Sequence, residues 1–461
     1  MTAAKLSNTD LLPMRRFFES GATRPYSFRK QQLELVKQTI LNHETEIYEA
    51  LYADLKKSPE ETYTTETGLI LSDINHAIKN LHRWMRPQRL KTNLVNFPSS
   101  GKLYYDPLGV TLIISPWNYP LQLLLIPLIG AIAGGNCVVL KPSELAPATA
   151  GITEKIINAI YPEHYIKVGQ GDGAEIIPDM MRRFRFDHVF FTGSIPVGKA
   201  IYELAAKDLV PVTLELGGKS PAIIENDAHI ASSARRVALG KFINAGQTCI
   251  APDYLLVHAD IAEKFIAALK DTIQLFWGED AKESYDYGKI INEKNFNRLS
   301  KYLNDGELVM GGQTDPSRLF IAPTILTNVA PDSPVMEEEI FGPILPVCIF
   351  KTMEEALHII KKNKNPLACY VFTSSKKKEK AWMENLTFGG GCINNAAWHF
   401  ANHSFPFGGV GNSGIGAYHG KHSFLRFTHA KAVMKTPVWM DPDFRYPPLK
   451  GKLSRFKFFI K

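Results

Sequence analysis

Residues 109–141 read GVTLIISPWNYPLQLLLIPLIGAIAGGNCVVLK, and this stretch decides the fold. GVTLIIS is a short β-branched run that ends at a Pro- and Asn-containing turn. The apolar segment after it is too long for a strand and reads as a buried helix, and NCVVLK is a second short apolar run. Strand, turn, helix and strand in so few residues make a βαβ unit, which joins two parallel strands. The pattern then repeats. A helix over about 147–160 leads to the strand YIKVG, a short helix near Ala174–Met181 to DHVFFTG, and a helix over Val197–Asp208 to VTLELGG. Repeated βα units of this length predict a parallel, doubly wound sheet with helices on both faces.

Working outward, residues 9–57 carry Leu33, Leu35, Val36, Ile40 and Ile47 at helical spacing and read as two or three amphipathic packing helices. A second α/β series starts at Pro221 with AIIE, a helix through Ala231–Phe242 and the loop NAGQTCIAP. The strands YLLVH, VCIF, YVFTS and GCIN follow, alternating with helices such as Met353–Lys362, and the Gly-rich Phe407–Gly416 interrupts them. Two Rossmann-like α/β domains joined near Leu216–Lys219 are the simplest organisation.

Composition bounds the class. A chain of 461 residues with 45% hydrophobic content buries large cores and suits two or three domains. Its most apolar stretch, Leu121–Ala133, is shorter than the roughly 20 residues of a membrane-spanning helix and is broken by Pro127 and Gly130. The N-terminal MTAAKLSNTDLLPMRRF lacks the basic-then-apolar-then-small order of a secretory signal, so a cytoplasmic protein is expected. The formal charge of +7 is scattered, which argues against a nucleic-acid surface and suits a mild attraction to anionic cofactors. Lys376–Lys380 reads as the solvated face of a helix.

The five cysteines, Cys137, Cys249, Cys348, Cys369 and Cys392, show no CxxC or Cys/His spacing, so neither a disulfide framework nor a zinc site is expected. Four lie in strand-like apolar runs as small buried hydrophobes. Cys249 instead sits in the polar loop 246–252, among small residues that let a substrate approach, as a reactive thiol requires.

Ligands of open α/β sheets bind beyond the carboxyl ends of the strands. The loops there carry Ser115–Pro120, Lys141–Glu144, Thr192–Ser194 and Glu215–Gly218. Gly193 and Gly198 flank a helix start whose free N–H groups favour a pyrophosphate, although the spacing is GxxxxG rather than GxGxxG. Lys141 and Glu144, after one strand, can both reach an adenosine ribose; two solvated loop residues are the alternative. The Asn118 amide is a candidate donor to an oxyanion formed at the Cys249 sulfur, against an ordinary turn-forming role. Glu215, at the end of an apolar strand, is a candidate general base with a raised pKa, against a structural strand-end acid.

Seven segments occur along the chain in one order: PWNYP at 116–120, KPSE at 141–144, FTGS at 191–194, LELGGKSP at 214–221, GQTC at 246–249, EEIFGP at 338–343 and PFGGVGNSG at 406–414. Together they resemble the aldehyde dehydrogenase superfamily over about residues 30–437, and specifically its class 3 branch of fatty-aldehyde and dimeric enzymes. GQTCIAPDY, His399 and GAYHGKHSF at 416–424 share that class 3 character. The resemblance implies an NAD(P)-binding domain over 1–101 and 109–216, and a catalytic thiol domain over 217–420. It also implies a small β oligomerisation arm from 102–108 and 421–437, with a tail over 438–461. By the same resemblance Cys249 is the nucleophile, Asn118 the oxyanion donor and Glu215 the base. Trp117, Lys141, Glu144, Gly193, Ser194, Gly198, Leu216, Glu339 and Phe341 surround NAD or NADP, with Glu339 and Phe341 at the nicotinamide ribose and ring. A homodimer is implied, no step calls for a metal, and medium or long aliphatic or aromatic aldehydes are the expected substrates.

The sequence departs from class 3 at Asn395, where an aspartate is expected, and at Cys392, where a small aliphatic residue is usual. The tail ends in the basic, aromatic KLSRFKFFIK without a long apolar anchor; surface packing is expected, with a partner subunit or a membrane surface as alternatives. Three rival functions keep part of this picture: a CoA-acylating dehydrogenase or acyl reductase, a cysteine thioesterase, and a fold retained only for binding. Glu215 argues against the first, the need for a histidine beside Cys249 against the second, and the conjunction of Cys249, Asn118 and Glu215 against the third.

Overall fold

The structure is a computed structural model describing residues 10–460, so most of the N-terminal stretch read above for a secretory signal, and Lys461, lie outside the described residues. The strand Val110–Ile114 is buried along its whole length and pairs in parallel with Cys137–Lys141 on one side and His188–Thr192 on the other. Burial of every side chain is what a sheet covered on both faces requires, and it explains why these strands read as unbroken apolar runs. Ile166–Val168 pairs beyond Cys137–Lys141, Val212–Glu215 beyond His188–Thr192, and the antiparallel Gly414–Ile415 closes that edge. The chain order reverses between Val110–Ile114 and His188–Thr192, the switch point where such a sheet opens a crevice at its carboxyl end.

The helix Gln122–Gly134 has all 13 residues buried, with Pro127 inside it. Its glycines admit a close neighbour: a β-carbon at Gly130 would lie 2.6 Å from Ser423 Cβ, and one at Gly134 would lie 2.7 Å from the Phe427 carbonyl oxygen. The chain opens with the helices Leu12–Glu19, Tyr26–Asn42 and Glu44–Leu55. Leu33, Val36, Ile40 and Ile47 point into the core and Leu35 is half-buried. The long helix Gly68–Met85 and the π-helical turn Tyr63–Thr67 before it carried no signal used above.

The second sheet has seven strands, in the order Glu307–Met310, Thr324–Thr327, Ile344–Phe350, Tyr254–His258, Pro221–Ile224, Ala368–Phe372 and Gly390–Ile393. All pairs are parallel except the first. A third, three-stranded antiparallel sheet joins Gln88–Leu90, Ser100–Pro107 and Thr428–Lys435. Residues 421–437, read above as one arm segment, divide in two: Lys421–Arg426 is a helix packed on Gln122–Gly134, and only Thr428–Lys435 is a strand. Gly414–Ile415, from the stretch assigned to the thiol domain, pairs with the first sheet.

In the tail, Arg445 donates to the carbonyls of Val95 (3.2 Å) and Phe97 (2.8 Å), and Phe444 stacks on Phe459. Among the described residues no helix is long and apolar enough to cross a membrane.

Candidate active site

Two loops from different halves of the chain meet at Cys249. One is the turn after Val110–Ile114. The other follows the helix Ile230–Phe242, where Asn244 (φ 53°), Ala245 (φ 51°) and Gly246 (φ 74°) are all left-handed. Such a run reverses the chain abruptly, and a β-carbon on Gly246 would strike the Gly342 carbonyl oxygen at 2.3 Å.

The thiol lies where two cavities join. One is lined almost wholly by apolar groups, among them Tyr119, Leu123, Leu239, Ile243, Trp398 and Phe400. The other is a larger cleft, of about 530 Å³, running past Trp117, Asn118, Gly193, Ser194, Glu215, Leu216, Glu339 and Phe341. Cys249 lines both. Burial pushes the thiol well above its ordinary value, and the Glu339 and Glu215 carboxylates push it further, so the resting group is S–H. The backbone N–H groups of Cys249 and Ile250 act in the opposite direction.

Glu215 ends the strand Val212–Glu215 with its side chain 2% exposed and neither carboxyl oxygen hydrogen-bonded. Burial raises its pKa well above the carboxylate range, with only Arg426 opposing. A carboxyl in this state holds its proton more tightly than one in water. Glu339 is driven up to about 8, first by burial and then by Asp253, while the Gly218 N–H, Lys219 and Arg298 oppose. Its carboxylate fits because residue 217 is glycine: a β-carbon there would sit 1.9 Å from Glu339 Oε2. Backbone contacts hold its segment in place. Arg298 donates to the Ile340 carbonyl at 2.8 Å, and Asp253 accepts the Ile340 N–H at 2.9 Å while paired with Lys219. Phe341, itself left-handed, meets the Trp117 ring edge-on at 5.3 Å.

Asn118 is 1% exposed, and its Nδ2 donates to the Gln247 carbonyl oxygen at 3.0 Å, leaving its second N–H uncommitted. That carbonyl belongs to the residue two before the thiol. The amide of Asn118 is therefore fixed relative to Cys249 and retains one donor for a charge developing there.

Not every residue singled out above is drawn into the cleft. Lys141 is buried and bonds to Glu144 (2.6 Å) and to the Pro142 carbonyl (2.7 Å), and neither Lys141 nor Glu144 lines the cavity. Gly198 lies beneath Leu216, where a β-carbon would come 2.5 Å from Leu216 Cδ2; its smallness serves packing of the helix Ile195–Ala206. Cys392 and Asn395 do not line the apolar cavity, while Tyr418 and His419, quoted above only as part of a motif, do. His399 and His419 are each pushed down to about 4 by burial, and no hydrogen bond joins Cys249 to a histidine among the described residues.

The cleft's residues fit a dinucleotide. The N-terminus of Ile195–Ala206 opens onto it beside Gly193 and Ser194, and the buried Thr192 hydroxyl there has no hydrogen-bond partner.

Known proteins give the same answer as this geometry. A 4,4'-diaponeurosporen-aldehyde dehydrogenase from Staphylococcus aureus is 44% identical over 447 residues, covering 96% of this chain and 97% of that protein. Aldehyde dehydrogenase family 3 member A2 from Rattus norvegicus is 43% identical over 97% of this chain and 93% of its own length. The solved substrate-bound state of Staphylococcus aureus AldH superposes with a TM-score of 0.96 at 42% identity, covering 100% of both chains. The sequence pattern of the aldehyde dehydrogenase family matches residues 14–433. With a single thiol set between an apolar cavity and a dinucleotide-sized cleft, and with relatives of that kind along nearly its whole length, this chain belongs to the aldehyde dehydrogenase family.

Proposed function

We propose that the protein oxidises medium- or long-chain aliphatic or aromatic aldehydes to carboxylic acids with NAD or NADP, through a thioester on Cys249. The observation that carries this reading is the position of Cys249 at the junction of the two cavities. An apolar cavity binds an apolar aldehyde by burying its surface. The larger cleft takes the dinucleotide, with Trp117, Gly193, Ser194, Leu216, Glu339 and Phe341 as its walls and Lys141 and Glu144 near its adenosine end. Gly198 lets the adjoining helix pack closely.

The Cys249 thiol gives up its proton to the Glu339 carboxylate in its ionised form, and the sulfur bonds to the aldehyde carbon. The negative charge that forms on oxygen receives the free N–H of Asn118 and the backbone N–H of Cys249; one such donor is worth about 3 kcal/mol in the transition state. A nicotinamide held beside Glu339 and Phe341 would supply the hydride acceptor, and loss of hydride from the carbon leaves the acyl group on sulfur. Glu215, after its own proton has left to solvent, takes a proton from water, the water oxygen bonds to the thioester carbon, and the carbon–sulfur bond breaks to release the acid while the sulfur takes its proton back from Glu339.

Two neighbouring readings belong to the same proposal. The outer strand Thr428–Lys435 leaves one edge unpaired, and Val433 and Met434 are exposed, which supports pairing with a second copy as a homodimer. Five free thiols suit the reducing cytoplasm. The test is absorbance at 340 nm with NAD and then NADP, offering hexanal, decanal and benzaldehyde without CoA to wild type and Cys249→Ala. Reduced cofactor and free acid from wild type alone support the reading. Turnover only after CoA is added replaces it with an acylating enzyme.

A further inference from the structure

Among the buried charge pairs that the mechanism above leaves unused, one touches the Asn118 turn. Lys57 and Glu66 are both fully buried, and Lys57 Nζ donates to Glu66 Oε1 at 2.6 Å. Taking two charges out of water is unfavourable, and an apolar pair of the same volume usually holds a fold as well or better. What the two groups do with their remaining hydrogen-bonding capacity therefore matters. Lys57 donates also to the backbone oxygen of Asn118 at 3.0 Å, and its ammonium lies 3.9 Å from the centre of the Tyr119 ring. Glu66 Oε2 accepts the N–H groups of Leu121 (3.0 Å) and Gln122 (3.1 Å), where the helix Gln122–Gly134 begins. The pair thus grips both ends of the turn that carries the Asn118 amide.

Asn244 completes the clamp. Its Nδ2 donates to the same Asn118 oxygen at 2.8 Å and to the Gln247 oxygen at 3.2 Å, and its own N–H is held by Glu61 Oε1 at 3.0 Å. The oxyanion turn and the thiol loop are thereby tied through two main-chain oxygens. Glu66 lies in the π-helical turn Tyr63–Thr67, a local irregularity of the kind found at functional positions. A glycine follows that turn because a β-carbon at 68 would lie 2.6 Å from the Tyr63 carbonyl oxygen.

We infer that Lys57 and Glu66 are positioning residues: together with Asn244 they set where the Asn118 N–H stands relative to the Cys249 sulfur, and so govern the rate of thioester formation. The inference rests on the oxyanion reading of Asn118 given above. A Lys57→Met change alone would leave Glu66 charged and unpaired, so the informative variant is Lys57→Met combined with Glu66→Gln. It removes both charges and keeps an oxygen for the two helix N–H groups. Asn244→Gly serves as the second variant, since glycine adopts the left-handed backbone of residue 244 without strain.

The readouts are the pre-steady-state burst of reduced cofactor, cofactor affinity by fluorescence titration, and the rate at which iodoacetamide alkylates Cys249. Expected for both variants is a burst slower by about 100-fold, with cofactor affinity and thiol alkylation within about twofold of wild type. A general loosening of structure would move all three together. Asn118→Ala is the control that separates the two levels of argument. If it leaves the burst unchanged, the oxyanion reading fails. If it slows the burst while the Lys57/Glu66 double variant and Asn244→Gly both do not, the positioning inference fails. If the double variant does not fold, Asn244→Gly alone decides: an unchanged burst overturns the inference, and a selectively slowed one supports it.

Discussion

Replacing Glu215 by glutamine keeps the shape of the side chain and removes its proton chemistry, and the structure sets two magnitudes for the result. The first concerns turnover. A positioned general base contributes about 10²–10⁴-fold, and Glu215 is assigned to the water step alone. The variant should therefore release about one reduced cofactor per site in a burst and then stall with the acyl group on Cys249. Stopped-flow absorbance gives the amplitude, and intact-mass measurement gives the adduct.

The second magnitude concerns stability. Burial raises the Glu215 pKa in the folded protein, with neither oxygen bonded to compensate. Between the ordinary carboxyl value and the raised one, the folded state holds a proton that the unfolded state has lost. Stability from this group is complete below the ordinary value and falls as pH rises through that window, by about 1.4 kcal/mol per pH unit. Glutamine does not titrate, so the stability of Glu215→Gln relative to wild type should climb with the same slope, whatever the fixed offset from burying an amide. Urea unfolding across pH 5–8 measures it. Steady turnover within about threefold of wild type, with no adduct, would refute the base assignment. A stability difference that does not change with pH would refute the claim that Glu215 is held neutral.

Other expectations follow from the same geometry. Glu339→Gln removes a carboxylate that holds the thiol proton on, so iodoacetamide should alkylate Cys249 faster than in wild type at pH 9; an equal or slower rate would show that the two groups do not interact. Lys219→Met leaves the buried Asp253 carboxylate without its cation and should lower unfolding free energy by about 3–5 kcal/mol, with most of the loss recovered in combination with Asp253→Asn. Failure of that recovery in urea melts would assign Lys219 a role beyond the pair. Val433→Lys with Met434→Lys, on the unpaired strand edge, should convert a dimer to monomer in sedimentation velocity at micromolar concentration. A wild-type monomer under those conditions overturns the proposed assembly.

The sheets were legible because parallel strands buried on both faces must be apolar throughout, and GVTLIIS, NCVVLK and DHVFFTG display that requirement directly. Candidate site residues at strand ends were legible for a related reason: Glu215 and Asn118 stand out against the apolar runs that precede them. The supports of the site were not legible. Lys57 lies 61 residues from Asn118 and shares no period or motif with it, so only the folded chain reveals that it bonds there. Gly198 illustrates the converse. A glycine near a helix start resembles a phosphate loop in sequence, whereas its neighbour in space is Leu216. Lys141 and Glu144 likewise read as ribose ligands or as two solvated loop residues, and neither reading foresees that the ammonium is bonded to the carboxylate.

Glu215 lines the larger cleft but not the apolar cavity, whereas Cys249 lines both. An acyl chain attached to the sulfur fills its own channel for as long as the bond lasts, and water cannot arrive past it. On the proposed reading, the water that Glu215 activates would enter by the opposite route, through the cleft that would hold the nicotinamide. Traffic in one passage would thereby time the chemistry in the other: hydrolysis would wait for room in the cleft, and the filled channel would shield the sulfur from solvent until then.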